Sequence, residues 1–297
     1  MDPRDHERGL EARVWNGRLA RVRAALACPG CSGALAFSEQ GARCEACRAS
    51  YPLRAGKLYF TTPPQTVDAL DGLKHRLKKR LGRFYYSIGI GIFAPTYPFN
   101  YRAAIERHCN PAKELCVDIG CGNQRISEDL IGLDMFDYDA VDIVCDLDAL
   151  PFRPDSVDAF VSRSVLEHIP TIANVVRQLK RCTRPGGMNM HLIPFLFPYH
   201  ASPHDYQRFT HSGAANLFDG WTLIEQRSVT GPATLFLLWL VEFLASLLSA
   251  GSERAKPYVY LALCVLLWPI KFLDVLFAGR RAFLGMAPTI WTAVKKP

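Results

Sequence analysis

Residues 1–26, MDPRDHERGLEARVWNGRLARVRAAL, hold no apolar stretch and no small-residue cleavage site, only a run of interspersed charges. The two missing features are the marks of a secretory leader, so the chain is expected to start in the cytoplasm. There is no large charge imbalance either: 35 Lys and Arg against 28 Asp and Glu leave +7, which suits anionic partners as a class and picks out none. No internal repeat is evident. A disulfide framework is also missing: of ten cysteines, four fall in a metal-binding pattern and the rest are scattered in apolar runs, so reduced thiols fit better. With 297 residues the chain can hold about two domains of ~100–200 residues, each with a core of ordinary size.

The metal pattern lies in CPGCSGALAFSEQGARCEACRASYPLRAGKLYF. Cys28 and Cys31 form one CxxC, Cys44 and Cys47 a second, with twelve residues between the pairs. Each pair can wrap two thiolates around one side of an ion, and ALAF can form the hairpin that joins them, so that four sulfurs complete a tetrahedron. A thioredoxin-like redox pair or chance spacing would account for one CxxC more readily than for two at this distance. A unit this small buries little apolar surface, so a structural zinc would supply much of its stability. No ligand position is left open for a catalytic zinc.

Leu70, Leu73, Leu77 and Leu81, with bases between them, predict a basic amphipathic helix over 68–83. It could lie on an anionic membrane, on nucleic acid, or simply dock its leucines on the next domain. Gly and Pro punctuation in IGIGIFAPTYPFN closes this linker. After Tyr101 the rhythm is strand, turn, helix: ELCVDIG, a short helix over NQRISEDLI, the apolar run IGLDMF, then VDAFVSRSVLEHI, a helix over TIANVVRQLKRC, and a Pro-Gly-Gly turn into MNMHLIPF. Alternating strands and helices predict parallel α/β layering.

Asp118, Gly120 and Gly122 form D-x-G-x-G at the end of the first strand, where open α/β sheets bind ligands. Glycine lets backbone approach a ligand closely, and a following helix would present free N–H groups. The dinucleotide fingerprint G-x-G-x-x-G needs glycine at 125, and Arg125 stands there, which counts against a dehydrogenase. Asp134 ends the second strand, where a carboxylate can accept both hydroxyls of a ribose. Asp146 opens DLDALPF after the third, placed to hold the exocyclic amine of an adenine. Three carboxylates around one glycine turn suit a neutral or cationic nucleoside better than a pyrophosphate.

In order and spacing, VDIGCGN, GLD, CDLDALPF, SVDAFVSRSVLEHI and LKRCTRPGG resemble successive motifs of the class I S-adenosylmethionine-dependent methyltransferases, over residues 115–195. The resemblance implies a Rossmann-like seven-stranded sheet, helices on both faces, its last strand antiparallel. By position, Asp118, Gly120 and Gly122 would surround the methionine moiety, Asp134 the ribose, and Asp146 with Leu147 the adenine, while Ser162 and Ser164 would line the transfer site. The helix after Gly122 is short for the family, which leaves Asp137, Asp139 and Asp142 as rivals to Asp134. The unit over roughly 26–60 is similar to the Trm112-like zinc ribbon that accompanies or is fused to some methyltransferases.

Methyltransferases of planar amino nitrogens resemble one another in an Asn/Asp-Pro-Pro-Tyr turn after strand four. Here SRSVLEHI occupies that place, so an oxygen or carbon acceptor is expected and nucleic acid is not favoured. A hydroxyl acceptor needs a base within hydrogen-bond reach. The candidates are His168 and the cluster His200, His204, Asp205, Tyr206 and Arg208, in a string similar to those of bacterial methyltransferases found near cell-envelope polysaccharide genes.

Two long apolar stretches, 231–251 and 258–279, follow. At ~1.5 Å per residue each reaches about 30 Å, near a bilayer core. Glu242 interrupts the first, and Pro269, Lys271 and Asp274 the second, and charge at mid-membrane is costly. They lie between WTLIEQRSV and TIWTAVK, which read as the last two strands, so both ends must stay on one side of any membrane. A hairpin meets that condition and a single span does not. The expectation is a membrane-embedded or membrane-dipping helical hairpin inserted before the last strand, with Arg254 and Lys256 at its bend and Arg280 and Arg281 at its exit. A hairpin packed on the domain or in a dimer is the alternative. The predicted organisation is thus a zinc ribbon over 1–60, a basic linker over 61–100 and a methyltransferase domain over 101–297 with 231–281 inserted. It would bind S-adenosylmethionine and zinc, and take a small-molecule, saccharide or lipid-linked acceptor at the inner face of the membrane; the alternatives are a methyltransferase-like scaffold or binding module, or a tRNA or protein methyltransferase that uses the ribbon to bind its partner.

Overall fold

The computed structural model describes residues 17–64, 92–96, 98–200, 204–277 and 280–297. The basic helix expected over 68–83 lies outside them. The apolar runs pair into one sheet of eleven strands, in the order β1-β2-β3-β4-β7-β6-β5-β8-β9-β11-β10. Their ranges are β1 Leu35–Ser38, β2 Gly41–Cys44, β3 Ser50–Arg54, β4 Lys57–Tyr59, β5 Cys116–Ile119, β6 Ile131–Asp134, β7 Ile143–Val144, β8 Val157–Arg163, β9 Thr183–Pro194, β10 Thr222–Ser228 and β11 Thr289–Lys295.

From β7 to β10 this is the expected seven-stranded class I methyltransferase sheet. Neighbours among β5 to β9 run parallel, while β11 is antiparallel to both β9 and β10. Every residue of β5 and β6 is buried, as a parallel sheet covered on both faces requires. One face packs Val117, Ile119, Ile131, Leu133 and Phe160 against helix α3, Ile172–Cys182, through its Val175, Val176 and Leu179. The other packs Cys116, Ala159, Val161 and Met190 against helix α2, Tyr101–Glu106, through Ala104 and Ile105.

The ribbon extends this sheet. Strand β4 pairs in parallel with β7, Leu58 opposite Ile143. Leu19, Val22 and Leu26, from helix α1 (Gly17–Val22) and the turn after it, join the same core as β5 and α3. Arg18 of α1 and Arg125 both reach Asp142, which is 2% exposed and also accepts the Gly132 N–H at 2.9 Å.

No helix forms over 123–131. Residues 121–130 make turns, and Arg125 is drawn inward to donate to both oxygens of Asp142 at 2.8 and 2.9 Å. A helix there would turn that guanidinium away from its buried partner.

Helix α4 spans His211–Asn216. The two apolar stretches fold as helices α5, Pro232–Leu248, and α6, Lys256–Leu267, the latter continued by a 3-10 segment, Trp268–Leu276. Leu237, Val241, Ala245, Leu263 and Cys264 form a small core between them. Of the charges that interrupt the runs, two are 0% exposed and fully occupied. Asp274 accepts the N–H groups of Gly231, Ala233 and Thr234 at 2.8–3.0 Å, capping α5. Lys271 donates to the carbonyls of Ile92 and Ala94 at 2.6 and 2.8 Å. Glu242 pairs with Lys256. Most of the remaining surface of the hairpin is apolar and open to solvent, with Phe243, Leu247, Leu266 and Val275 each more than 60% exposed.

Candidate active-site cleft

At the carboxyl ends of β5, β6 and β8 the chain leaves a cleft of about 490 Å³, an ordinary size for a small-molecule site. Gly120 and Gly122 both have positive φ, +63° and +59°. At Gly120 a Cβ would lie 2.5 Å from a methyl of Val165, so only glycine lets the turn close. At Gly122 a Cβ would meet nothing and would stand in open space, which is how backbone is left bare for a ligand.

Five residues expected at a cofactor, Gly120, Gly122, Asp134, Asp146 and Leu147, line this cleft together. Asp118 lies beneath it, 2% exposed, with both carboxylate oxygens lacking a hydrogen-bond partner. Burial raises its pKa to about 7; Arg163 and Arg125 pull it down, and Asp134 adds to the rise. The Asp134 carboxylate accepts the Gly122 N–H at 2.9 Å and the Phe136 N–H at 3.0 Å. Burial raises its pKa against those bonds. Of the rivals, Asp137 is occupied by Lys57 and Tyr59 at 2.6 and 2.8 Å and Asp142 by its arginines, while Asp139 is not among the residues lining the cleft. Asp146 caps the 3-10 turn Leu147–Ala149.

Ser162 is not brought to the cleft. Its position on β8 points the hydroxyl inward, 1% exposed and 2.8 Å from Nδ1 of His191. That imidazole is stacked on Phe218, and burial pushes its pKa down to about 3. Ser164, two residues on, lines the cleft at φ +51°. The sequence reading also passed over Met135, Phe136 and Tyr138, which follow Asp134 into the wall. The signal was there: aromatics just past a ribose-type carboxylate can stack on a planar base.

On the opposite rim only His168 of the second group reaches the cleft. His200, His204, Asp205, Tyr206 and Arg208 gather behind it. The His168 and His200 rings meet edge to face at 5.1 Å. Gln207 donates to the carbonyls of Leu166 and Ile169 at 3.1 and 3.0 Å, and the Tyr206 N–H to that of Glu167 at 2.9 Å. The two segments are thereby held as one piece. Burial works to raise the Asp205 carboxyl, but Arg208, donating to both its oxygens, holds it below the usual range. Glu167, 0% exposed, was missed because it sits between a leucine and a histidine and reads as a turn residue.

At the ribbon, Cys28 and Cys47 sulfurs are 3.6 Å apart and those of Cys31 and Cys44 3.4 Å, all four within 4.8 Å of one another. Four thiolates at 2.3 Å from a tetrahedral zinc would be about 3.8 Å apart. The donor set and its spacing fit that ion.

A glycine turn at a parallel-strand end, with carboxylates after three adjacent strands, defines an α/β nucleoside-binding fold. Residues 117–190 match the family model described as a methyltransferase domain. That segment holds the glycine turn and the strand-end carboxylates of the cleft, and it is the stretch that resembles the class I S-adenosylmethionine-dependent methyltransferases. The chain is 30% identical over 169 residues to the tRNA (carboxymethyluridine(34)-5-O)-methyltransferase ALKBH8 of Macaca fascicularis, covering 51% of this chain and 25% of the relative. The Mus musculus protein gives 30% over 159 residues, covering 48% and 24%. The chain thus spans about a quarter of the length of the curated relatives it matches. Among solved structures, the Haemonchus contortus phosphoethanolamine N-methyltransferase 2 with S-adenosyl-L-methionine superposes at TM-score 0.48, with 18% identity over 80% of this chain and 61% of that one. A Haloferax volcanii complex of the Trm112 methyltransferase activator with a protein assigned as a methyltransferase gives TM-score 0.43 and 18% identity over 78% and 100%.

Proposed function

We propose that this chain binds S-adenosylmethionine in the cleft and directs its methyl group to a hydroxyl of a small-molecule, saccharide or lipid-linked acceptor at the cytoplasmic face of a membrane. The observation that carries the reading is the convergence of Gly120, Gly122, Asp134 and Asp146 on one cleft above the buried, unpartnered Asp118. Buried carboxyl oxygens without a partner favour a ligand that brings hydrogen-bond donors, such as a cationic amino acid end. Asp134 and Asp146, past β6 and β7, are placed for ribose and adenine. When bound, the cofactor supplies an electrophilic methyl group. The chain's own contribution is to orient donor and acceptor and to exclude water, with Val165 and Ile169 closing the wall. His168, with His200 behind it, forms the acceptor side.

Cys28, Cys31, Cys44 and Cys47 would hold a structural zinc, and the ribbon would act as a built-in Trm112-like element that covers the β7 edge. The exposed apolar face of the hairpin supports a membrane-dipping role. The segment Lys256–Leu276 is long and apolar enough to cross a bilayer and little of it is buried. Strands β10 and β11 pair with each other and with β9, so both ends of the hairpin return to one sheet edge.

A second reading, a tRNA methyltransferase using the ribbon for contact, is favoured by the name of the curated relatives. One experiment separates the two. Membranes and total RNA are incubated with the protein and methyl-labelled donor. Label in the solvent-extractable lipid fraction, together with liposome flotation lost when 232–276 is replaced by a short loop, is expected. Label confined to tRNA would establish the second reading instead.

A further inference from the structure

On the acceptor rim, two histidine rings converge on a carboxylate that has no hydrogen-bond partner of its own. Glu167 is 0% exposed and neither of its carboxylate oxygens accepts a hydrogen bond. A carboxylate in that state is costly unless a proton or a cation neutralises it. Nε2 of His200 lies 3.4 Å and Nε2 of His168 3.7 Å from Glu167 Oε1, and one ligand atom from each residue falls within 4.8 Å of the others.

The far nitrogen of each ring lies against a backbone carbonyl. His168 Nδ1 is 2.5 Å from the carbonyl oxygen of His204, which can only accept. His200 Nδ1 is 3.2 Å from the carbonyl of Pro198 and 3.4 Å from Asp205 Oδ2. The Arg208 guanidinium, also 3.4 Å from that nitrogen, spends its donors on Asp205 and on the carbonyls of Phe197, Pro198 and Gln207. With the proton of each neutral ring on Nδ1, toward these carbonyls, both Nε2 lone pairs face Glu167. Two lone pairs and a buried carboxylate facing one another repel, and a cation between them turns that repulsion into attraction.

We propose that Glu167, His168 and His200 form a binding site for a divalent transition metal of the zinc type. Ligands at 2.0–2.2 Å on a tetrahedron stand about 3.3 Å apart, so the two measured separations need only shifts of a few tenths of an ångström. Two imidazoles and one carboxylate select zinc, cobalt, nickel or iron over magnesium or calcium, which take oxygen ligands. The outer contacts are those of a prepared site: Asp205, fixed by Arg208, stands behind His200, and a backbone carbonyl behind His168. Three protein ligands leave a fourth position, and His168 borders the cleft. That position would take an oxygen ligand from the cleft, a hydroxyl or carboxylate, and make a bound hydroxyl more acidic. The role toward an acceptor rests on the methyltransferase reading; the metal site itself does not.

The test is a titration of Co2+ into the full-length protein with its ribbon already zinc-loaded, followed by visible absorption and calorimetry without methyl donor. One further equivalent should bind, with the visible bands of a site of nitrogen and oxygen ligands. Glu167→Gln and His200→Ala should each weaken it by more than the ~10–100-fold that loss of an outer-shell partner costs, with ribbon zinc content unchanged. His200 is half-buried, so its variant is expected to fold even if that of Glu167 does not. No further uptake by the wild type, or uptake that both variants retain, would overturn the proposal and leave the cluster as a proton-sharing ion pair. Methyl-donor binding is measured separately, so failure of the metal site and failure of the methyltransferase reading give different results.

Discussion

The two edges of the sheet carry additions of opposite character. At the β7 edge the ribbon turns its apolar side chains inward: Leu19, Leu26 and Leu58 are fully buried in the core that also holds Val117 and Ile131. Its polar links are specific, with Arg18 on Asp142 and Lys57 on Asp137. At the β10–β11 edge the hairpin keeps a small core of its own and turns much of its apolar surface outward, Leu266 and Val275 being about 70% exposed. An addition that buries its apolar side in the host becomes part of the fold. One that presents it to the outside keeps a surface that needs another occupant, which here we read as lipid.

The largest effect is expected at the four ribbon cysteines, proposed to hold zinc. Metal-binding free energies on the order of 10 kcal/mol act as folding energy in small zinc units. Cys44→Ser, or strong chelation, should therefore unfold the ribbon, strip β7 of its neighbour and lower Tm markedly in a thermal scan. An unchanged Tm would mean that apolar burial alone holds that edge.

At the other edge, Asp274→Ala removes a carboxylate that accepts three backbone N–H groups. A loss of about 2–3 kcal/mol in urea unfolding is expected, with hairpin amides exchanging faster than those of β5. Equal acceleration in both would show that the hairpin is not the separate unit described.

Between the edges, Asp118 provides a pH signature. Its folded pKa of about 7 lies above the ordinary carboxylate value, so the folded state holds a proton that the unfolded chain has released. Stability should fall as pH rises from about 4 toward 7, by at most about 1.4 kcal/mol per unit from this group, and Asp118→Asn should flatten that slope. Unfolding curves at several pH values check it.

The smallest effect belongs to the Glu242–Lys256 pair near the bend of the hairpin, with both side chains about a third exposed. Glu242→Gln should change stability by less than about 1 kcal/mol.

Strands β5, β6 and β8, helix α3 and the closing pair β10 and β11 were legible because their apolar periodicity is strong and their ends carry Gly or Pro. The helix over 123–131 was misread because Arg125 is a good helix former whose fate is decided by Asp142, seventeen residues on, where no local rule looks. Lys271 and Asp274 read as obstacles to a buried helix; the fold uses one to bind the chain before α2 and the other to cap α5. Of the cleft, Gly120, Gly122, Asp134 and Asp146 follow from strand ends, whereas the inward turn of Ser162 depends on which face of β8 it occupies. Glu167 carries no pattern of its own: His168 is its neighbour in sequence, but His200 is brought to it only by the tertiary fold.

We propose the cleft above Asp118 as a methyl-donor site. Calorimetric titration of the full-length, metal-analysed protein with S-adenosylmethionine tests it directly, beside Asp134→Ala and an NAD control. Micromolar-range binding, weakened tenfold or more in the folded variant and absent for NAD, is the predicted result. No binding, or binding that Asp134→Ala leaves untouched, would contradict it.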